Sequence, residues 1–409
     1  MNSQVRGIFP GASGQVYLDV SARSLMPEPV SAAVDRHIHT RMHYGGDKDE
    51  LRAEVERARH AFAGLINSSV NEIAITKNVS EGLNLFAASL PWEAGDNVLV
   101  CPELEHPNNI YLWFNLARSR GIEVRTIPAD EGRIPVAAMG NALDEHTRVV
   151  TMPSISFAPG FLTDVKSLAL AAKQVGALTL VDAAQSIGAI DTNVRDLGID
   201  ALAVATQKCL LSLYGFGFLY VRREVAESLV PIHVARYGID LGEAHETAFA
   251  EDELKYQPGA LRFDLGNYNY LGATAAATAL DLLAGWGMKN VEAHVCGLAS
   301  ELATGLLELG LPVAGGSPGS HLAHIVSVGE SGGGRHYSAD DPAMNSLYDH
   351  FVAAGIKLSI RSGVLRLSIG VYNQSSDIEH VIAAARTWIE TKGSGASSHL
   401  LGREDRGRR

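Results

Sequence analysis

Cysteine is scarce in this sequence. Cys101, Cys209 and Cys296 are odd in number and far apart among 409 residues. No two have the spacing of a metal knot or a redox pair, so neither a disulfide scaffold nor a metal site is expected. They read as reduced thiols, as in a cytoplasmic protein. Positive charge is also short: 34 lysines and arginines face 46 acids, a formal net charge of −12. That argues against a general nucleic-acid role, which needs a basic face. It still allows a local basic pocket for one small anion. No uncharged apolar run reaches the roughly 18 residues that would suggest a membrane span. The opening "MNSQVRGIFPGASGQ" lacks a continuous apolar signal core. No internal repeat is present. A soluble cytoplasmic protein is the expectation.

What is present is an ordinary globular composition, 46% hydrophobic and 20% charged. The length suits two domains, or one large domain with a smaller lobe. Seven short apolar runs predict strands: 72–76, 97–102, 124–129, 148–155, 178–183, 201–206 and 217–221. Amphipathic stretches such as 108–120 and 165–175 lie between several of them. Apolar strands alternating with helices predict an α/β fold with a mostly parallel sheet covered on both faces. The polar, acidic stretch 240–260 reads as a surface excursion. A strand–helix–strand lobe is expected late in the chain, in "HIVSVG", "NSLYDHFVAAG" and "VLRLSIG". The expected division is an N-terminal segment 1–15, a large domain 16–269, a small α+β domain 270–391 and a disordered tail 392–409.

Ligands of open α/β sheets sit beyond the carboxyl ends of the strands, so the residues just after each strand carry the argument. Lys208 follows "ALAVAT" in a nearly uncharged apolar and glycine-rich stretch. An unpaired buried ammonium is costly, so Lys208 either snorkels to solvent or serves as a nucleophile. Asp182 and Gln185 follow the preceding strand. A lysine can form a Schiff base with an aldehyde cofactor, and an aspartate can hold a pyridinium nitrogen protonated. The plain alternative for Asp182 is a helix N-cap. Ser80 opens a helical run whose free N–H groups can hold a phosphate, or it merely caps the helix. His106, in "ELEHPNN", can stack on a planar ring or be an ordinary loop histidine. Arg361 and Arg366 lie near the C-terminus. Arg366, inside a strand-like run, needs an anion: a substrate carboxylate or a buried protein carboxylate.

Together, in this order, the segments "NVSEGLN", "EHPNNIYLW", "VDAAQSIG", "QKCLLSLYGFGFLYV", "RFDLGNYN" and "RLSIGVYN" resemble the class V aminotransferase family of fold-type I pyridoxal-phosphate enzymes, in its cysteine-desulfurase-like branch. The resemblance implies a large domain with a mostly parallel seven-stranded sheet, a smaller C-terminal α+β domain and a homodimer with shared active sites. It implies that Lys208 carries pyridoxal 5'-phosphate through a Schiff base, Asp182 pairs with the pyridine nitrogen, Gln185 contacts the ring hydroxyl and His106 stacks on the ring. Val79, Ser80, Thr206 and Gln207 fall where the family contacts the phosphate. Asn267 falls where the partner subunit sends a phosphate contact. Arg366 matches the carboxylate-binding arginine.

The departures matter as much. Ala205-Thr206-Gln207 stands where the family often has Ser-x-His. Phe157 stands in place of an asparagine near the substrate, and Asn267 in place of a threonine. Only "SGVL" joins Arg361 to Arg366, with no room for the mobile loop that bears the desulfurase's nucleophilic cysteine. A persulfide needs that thiolate. The expected chemistry is therefore β-elimination (C–S lyase) on an S-substituted cysteine, with an aminotransferase as the alternative. Further alternatives are an epimerase, a decarboxylating deaminase or a catalytically idle binding protein of the same fold. A dinucleotide site is not expected, because the Gly-x-Gly of "YGFGFLYV" precedes a strand instead of opening a helix.

Overall fold

The computed structural model describes residues 3–242 and 254–401. Part of the expected surface excursion, residues 243–253, and the tail residues 402–409 lie outside it. The central sheet is built of β1 (Ile73–Thr76), β2 (Asn97–Val100), β3 (Glu123–Thr126), β4 (Thr147–Pro153), β5 (Leu178–Asp182), β6 (Ala201–Ala205) and β7 (Gly217–Val221). Their spatial order is β1-β7-β6-β5-β4-β2-β3. All neighbours are parallel except β7, which runs antiparallel to β1 and β6. β1, β2, β6 and β7 are buried at every position. That is why they read as continuous apolar runs and not as alternating ones: helices cover both faces.

The helix Val79–Ser89 packs close to this sheet at Gly82. A Cβ there would lie 3.1 Å from that of Ala203 in β6 and 3.5 Å from that of Leu219 in β7. The missing side chain brings the helix N-terminus down to the carboxyl ends of the strands.

The smaller lobe holds β8 (Ile325–Val328), a short hairpin of β9 (Gly334–Arg335) and β10 (Ser338–Ala339), then β11 (Ser359–Arg361) and β12 (Val364–Ser368). β12 pairs antiparallel with both β8 and β11. The N-terminal segment is tied to this lobe, Arg6 holding Asp377 at 2.6 Å, and to the helix start at Glu28, whose N–H donates to the Ile8 carbonyl at 2.8 Å; just beyond it Val16–Tyr17 pairs with Ile356–Lys357. The helix Tyr270–Trp286, expected to open the small domain, packs against Glu28–Tyr44 and Lys48–Leu65. Its alanine-rich, largely buried surface allows that close approach. The last helix, Ser375–Leu401, runs on through the first ten residues of the stretch expected as a disordered tail. Among the described residues no helix is long and apolar enough to cross a membrane.

Candidate active site

A cavity of about 290 Å³ opens at the carboxyl ends of β4, β5 and β6. It is lined by Asn78, Val79, Ser80, His106, Phe157, Asp182, Gln185, Gln207 and Lys208, among others. Eight of these nine were singled out in the sequence, and Asn78 opens the quoted motif "NVSEGLN". The loops after β2 and β4 bring His106 and Phe157 to the mouth, where the strand order reverses, the usual ligand position in such sheets.

Asp182 ends β5 and is buried, with Oδ1 accepting from the Ala184 N–H at 2.9 Å. No α-helix follows it directly, since the chain turns through 183–188 and the next helix is Val194–Leu197. The helix-cap alternative therefore has no helix to cap. Burial raises the Asp182 pKa, while the Ala184 N–H and the charge of Lys208 pull it back. Lys208 sits at the cavity floor. Burial lowers its pKa against the pull of Asp182, and Arg366 lowers it further. A lysine depressed in this way holds a larger free-amine fraction, the form that attacks an aldehyde and accepts a proton.

Gln185 donates from Nε2 to the Ser21 carbonyl at 3.2 Å, and its buried Oε1 has no partner within the described chain. His106 caps a short turn, its Nδ1 accepting from the Asn108 N–H at 3.2 Å. Burial, then Lys208 and His336, push its pKa down to about 4, so the ring is neutral at physiological pH. At the helix Val79–Ser89, the Asn78 side chain accepts from the Glu81 N–H at 2.9 Å. The first-turn N–H groups of Val79 and Ser80 have no acceptor within the helix and lie on the cavity wall.

Other expected residues are placed differently. Thr206 does not line the cavity. Its buried hydroxyl donates to the carbonyls of Leu213 at 2.7 Å and Phe216 at 3.0 Å, which ties down the loop beyond Lys208. Asn267 lies in a neighbouring cleft with Lys77 and Gly266, joined to the main cavity through Asn78. Its segment is held by Asp264, which pairs with buried Arg59 at 2.7 Å and accepts from the Ile75 N–H at 2.8 Å.

Arg366 is fully buried. Its Nη1 donates to the Phe157 carbonyl at 2.9 Å, its guanidinium lies 5.1 Å from the Phe157 ring centre, and its Nε has no partner. Among the described residues no carboxylate pairs with it in contact; the opposing charge that acts on it is that of buried Asp19, which is not in ion-pair distance. Burial and Arg361 push its pKa down to about 10, still charged at neutral pH. Arg361 donates to its neighbour Ile360's carbonyl and faces the Tyr337 ring at 5.3 Å.

Sequence reasoning missed three groups. Glu105, beside His106, is buried with both carboxylate oxygens unpaired, and burial together with Asp182 raises its pKa well above the usual range. An acid inside "PELEHP" was the available signal. His336 and Tyr337 stand on the β9–β10 hairpin, in a glycine-rich stretch, with His336 stacked on Phe157.

A Lys–Asp–Gln–His set around one cavity, with a helix N-terminus on its wall, is the equipment of a fold-type I pyridoxal-phosphate enzyme. Residues 16–381 match the family aminotransferase class-V. The chain is 35% identical over 304 residues to a probable cysteine desulfurase of Methanothermobacter thermautotrophicus, covering 73% of this chain and 74% of that protein. It is 29% identical to the uncharacterized aminotransferase YcbU of Bacillus subtilis, over 94% and 98% of the two chains. The apo cysteine desulfurase of Thermococcus onnurineus NA1 superposes with a TM-score of 0.81 at 25% identity, over 96% and 99% of the chains. The chain belongs to the class V aminotransferase family and is an enzyme of its cysteine-desulfurase-like kind. Its cofactor is pyridoxal 5'-phosphate, and the residues present fit it. Gln185 Oε1 is a buried acceptor left open at the wall, Asp182 is an acid at the cavity's edge, and Lys208 is a depressed amine at its floor.

Proposed function

We propose that the protein cleaves S-substituted cysteines by β-elimination. The Cα–H and Cβ–S bonds break, and with one water the products are pyruvate, ammonia and a free thiol. The observation that carries this reading is the turn between the two arginines. β11 and β12 pair in register up to Arg361 opposite Val364, leaving only Ser362 and Gly363, both at positive φ (48° and 84°). That is a two-residue hairpin turn of the primed type, with no place for a cysteine-bearing loop. None of the three cysteines lines the cavity, and burial pushes each thiol up to about 12, far from a thiolate.

The cofactor supplies an electron sink for the pair left on Cα. Lys208 holds the cofactor, then takes the proton from Cα and returns it to the product. Asp182 keeps a proton on the pyridine nitrogen, and Gln185 fixes the ring hydroxyl. Neutral His106 covers the ring face and adds no charge of its own. Val79, Ser80 and Gln207 receive the phosphate. Arg366 takes the substrate carboxylate in a planar fork. We propose further that the protein is a cytoplasmic homodimer in which Asn267 reaches the partner's phosphate site. Its exposed place beside the phosphate helix supports this, and sedimentation of Asn267→Ala tests it.

Full-length similarity to an aminotransferase supports a second reading, transamination. One experiment separates them. Incubation with an S-substituted cysteine alone should give equal pyruvate, ammonia and thiol. Turnover that appears only when an amino donor is combined with a keto-acid acceptor would establish transamination in its place.

A further inference from the structure

The loop that is absent between Arg361 and Arg366 has a structural successor. The β9–β10 hairpin lies against the Ser362–Gly363 turn: the Gly332 N–H donates to the Ser362 carbonyl at 2.9 Å, and the Gly363 N–H to the Arg335 carbonyl at 3.3 Å. The backbones meet so closely that a Cβ on Gly363 would lie 2.4 Å from the Gly333 carbonyl carbon. The hairpin is thereby fixed to the strands that carry both arginines.

It carries two rings beside Phe157, which lines the cavity. His336 stacks parallel on Phe157, with ring centres 5.8 Å apart and planes 6° apart. Tyr337 stands edge-on to His336 at 4.5 Å. Phe157 in turn meets His106 edge-on at 5.2 Å and covers buried Arg366. A chain of rings thus runs from the proposed cofactor face, over the proposed carboxylate anchor, out to solvent. Tyr337 is 77% exposed, and although Arg361 lies over its ring at 5.3 Å, most of the side chain is open to solvent.

We propose that Phe157, His336 and Tyr337 form the wall that recognises the substrate side chain, and that it selects a flat aromatic substituent, as in an S-aryl or S-arylmethyl cysteine. Aromatic rings contribute beyond their area when they stack or meet edge-to-face. Rigid rings on a fixed hairpin also lose little entropy on contact. Burial, then Arg361 and Arg366, lower the His336 pKa. The ring is therefore neutral at physiological pH and offers a stacking face in place of a third positive charge. The choice of substrate rests on the amino-acid reading above, but the wall can be tested without turnover.

The probes are 3-phenylpropionate and 3-cyclohexylpropionate, which carry the carboxylate and a six-membered ring but no amino group to react. Calorimetric titration of the cofactor-loaded enzyme should show the phenyl ligand binding about two- to tenfold more tightly. His336→Ala/Tyr337→Ala should bring the ratio to one, and His336→Phe should keep it. Both side chains are exposed, so these variants fold. Equal binding by the wild type, or an unchanged ratio in the double variant, would overturn the proposal. An intact ratio with no pyruvate from any S-aryl cysteine would sustain the wall and remove only the β-elimination reading.

Discussion

The two halves of the active site are built on different principles. The proposed cofactor half is made of single residues at strand ends: Asp182 ending β5, Lys208 after β6, and Ser80 where the helix after β1 begins. Each is placed by its own local element, so one chemical demand translates into one residue at one point of the fold. The substrate half is made between elements distant in sequence. Phe157 follows β4, His336 comes from a hairpin in the other lobe, and Arg366 reaches back from β12 to the Phe157 carbonyl across 209 residues. In the proposed site, the parallel sheet sets where the reaction occurs and the lobe packed over it sets what reacts.

The comparison breaks most sharply at Lys208. Lys208→Ala should lower turnover at least about 10²–10⁴-fold, the usual range for a positioned proton-transfer group, and lose covalent capture as well. Borohydride reduction of the loaded wild type followed by peptide mapping should mark Lys208. A label elsewhere would dismantle the cofactor half as drawn.

Next comes Arg366→Lys. A point charge replaces a planar fork at a buried site, so KM should rise about 10- to 100-fold with a smaller change in kcat. If KM stays put, the carboxylate is held elsewhere, with Arg361 the next candidate.

Gly363→Ala probes the joint between the halves. At φ 84° and with no space for a Cβ, the variant must shift the hairpin, costing about 1–3 kcal/mol and lowering the thermal midpoint. It should also blur aromatic preference while Lys208 can still be reduced onto the cofactor. Loss of both together would mean that the two halves are not separable.

The mildest test is acid stability. His324 is buried, with Nε2 3.7 Å from Cys209 Sγ, and burial with nearby Arg366 pushes its pKa from 6.5 down to about 3. The unfolded chain takes up a proton near pH 6.5 that the folded chain refuses until about pH 3. This group's stabilisation is therefore complete above pH 6.5 and lost as pH falls, by up to about 1.4 kcal/mol per pH unit. Glu105, with its raised pKa, acts in the opposite sense. His324→Gln should flatten the decline in thermal midpoint between pH 7 and pH 5, and an unchanged slope would assign that limb to other groups.

The same contrast explains what could be read before the fold was known. All seven central strands and the strand-end residues were legible, because buried parallel strands are continuous apolar runs and a lone lysine or aspartate at their ends stands out. For Thr206 the match to the family pattern says nothing of its hydroxyl, which the backbone carbonyls of Leu213 and Phe216 engage. His336 was invisible for a different reason. "ESGGGRHYSAD" has no hydrophobic period, and the close packing of its Gly333 and Gly334 is against Gly363, some thirty residues later. Likewise the attachment of the N-terminal stretch to the small lobe rests on scattered contacts, among them the Val16–Tyr17 pairing, the Arg6–Asp377 ion pair and the Phe9–Tyr372 rings, which leave no pattern to see in a sequence.

The central claim is a desulfurase-like cofactor site that breaks the C–S bond without passing sulfur to the protein. Intact-protein mass spectrometry during turnover of an S-substituted cysteine, with pyruvate and thiol measured in the same samples, tests it most directly. The account predicts pyruvate and thiol accumulating in equal amounts while the protein mass stays unchanged. Sulfur accumulating on Cys101, Cys209 or Cys296 in step with turnover would contradict it.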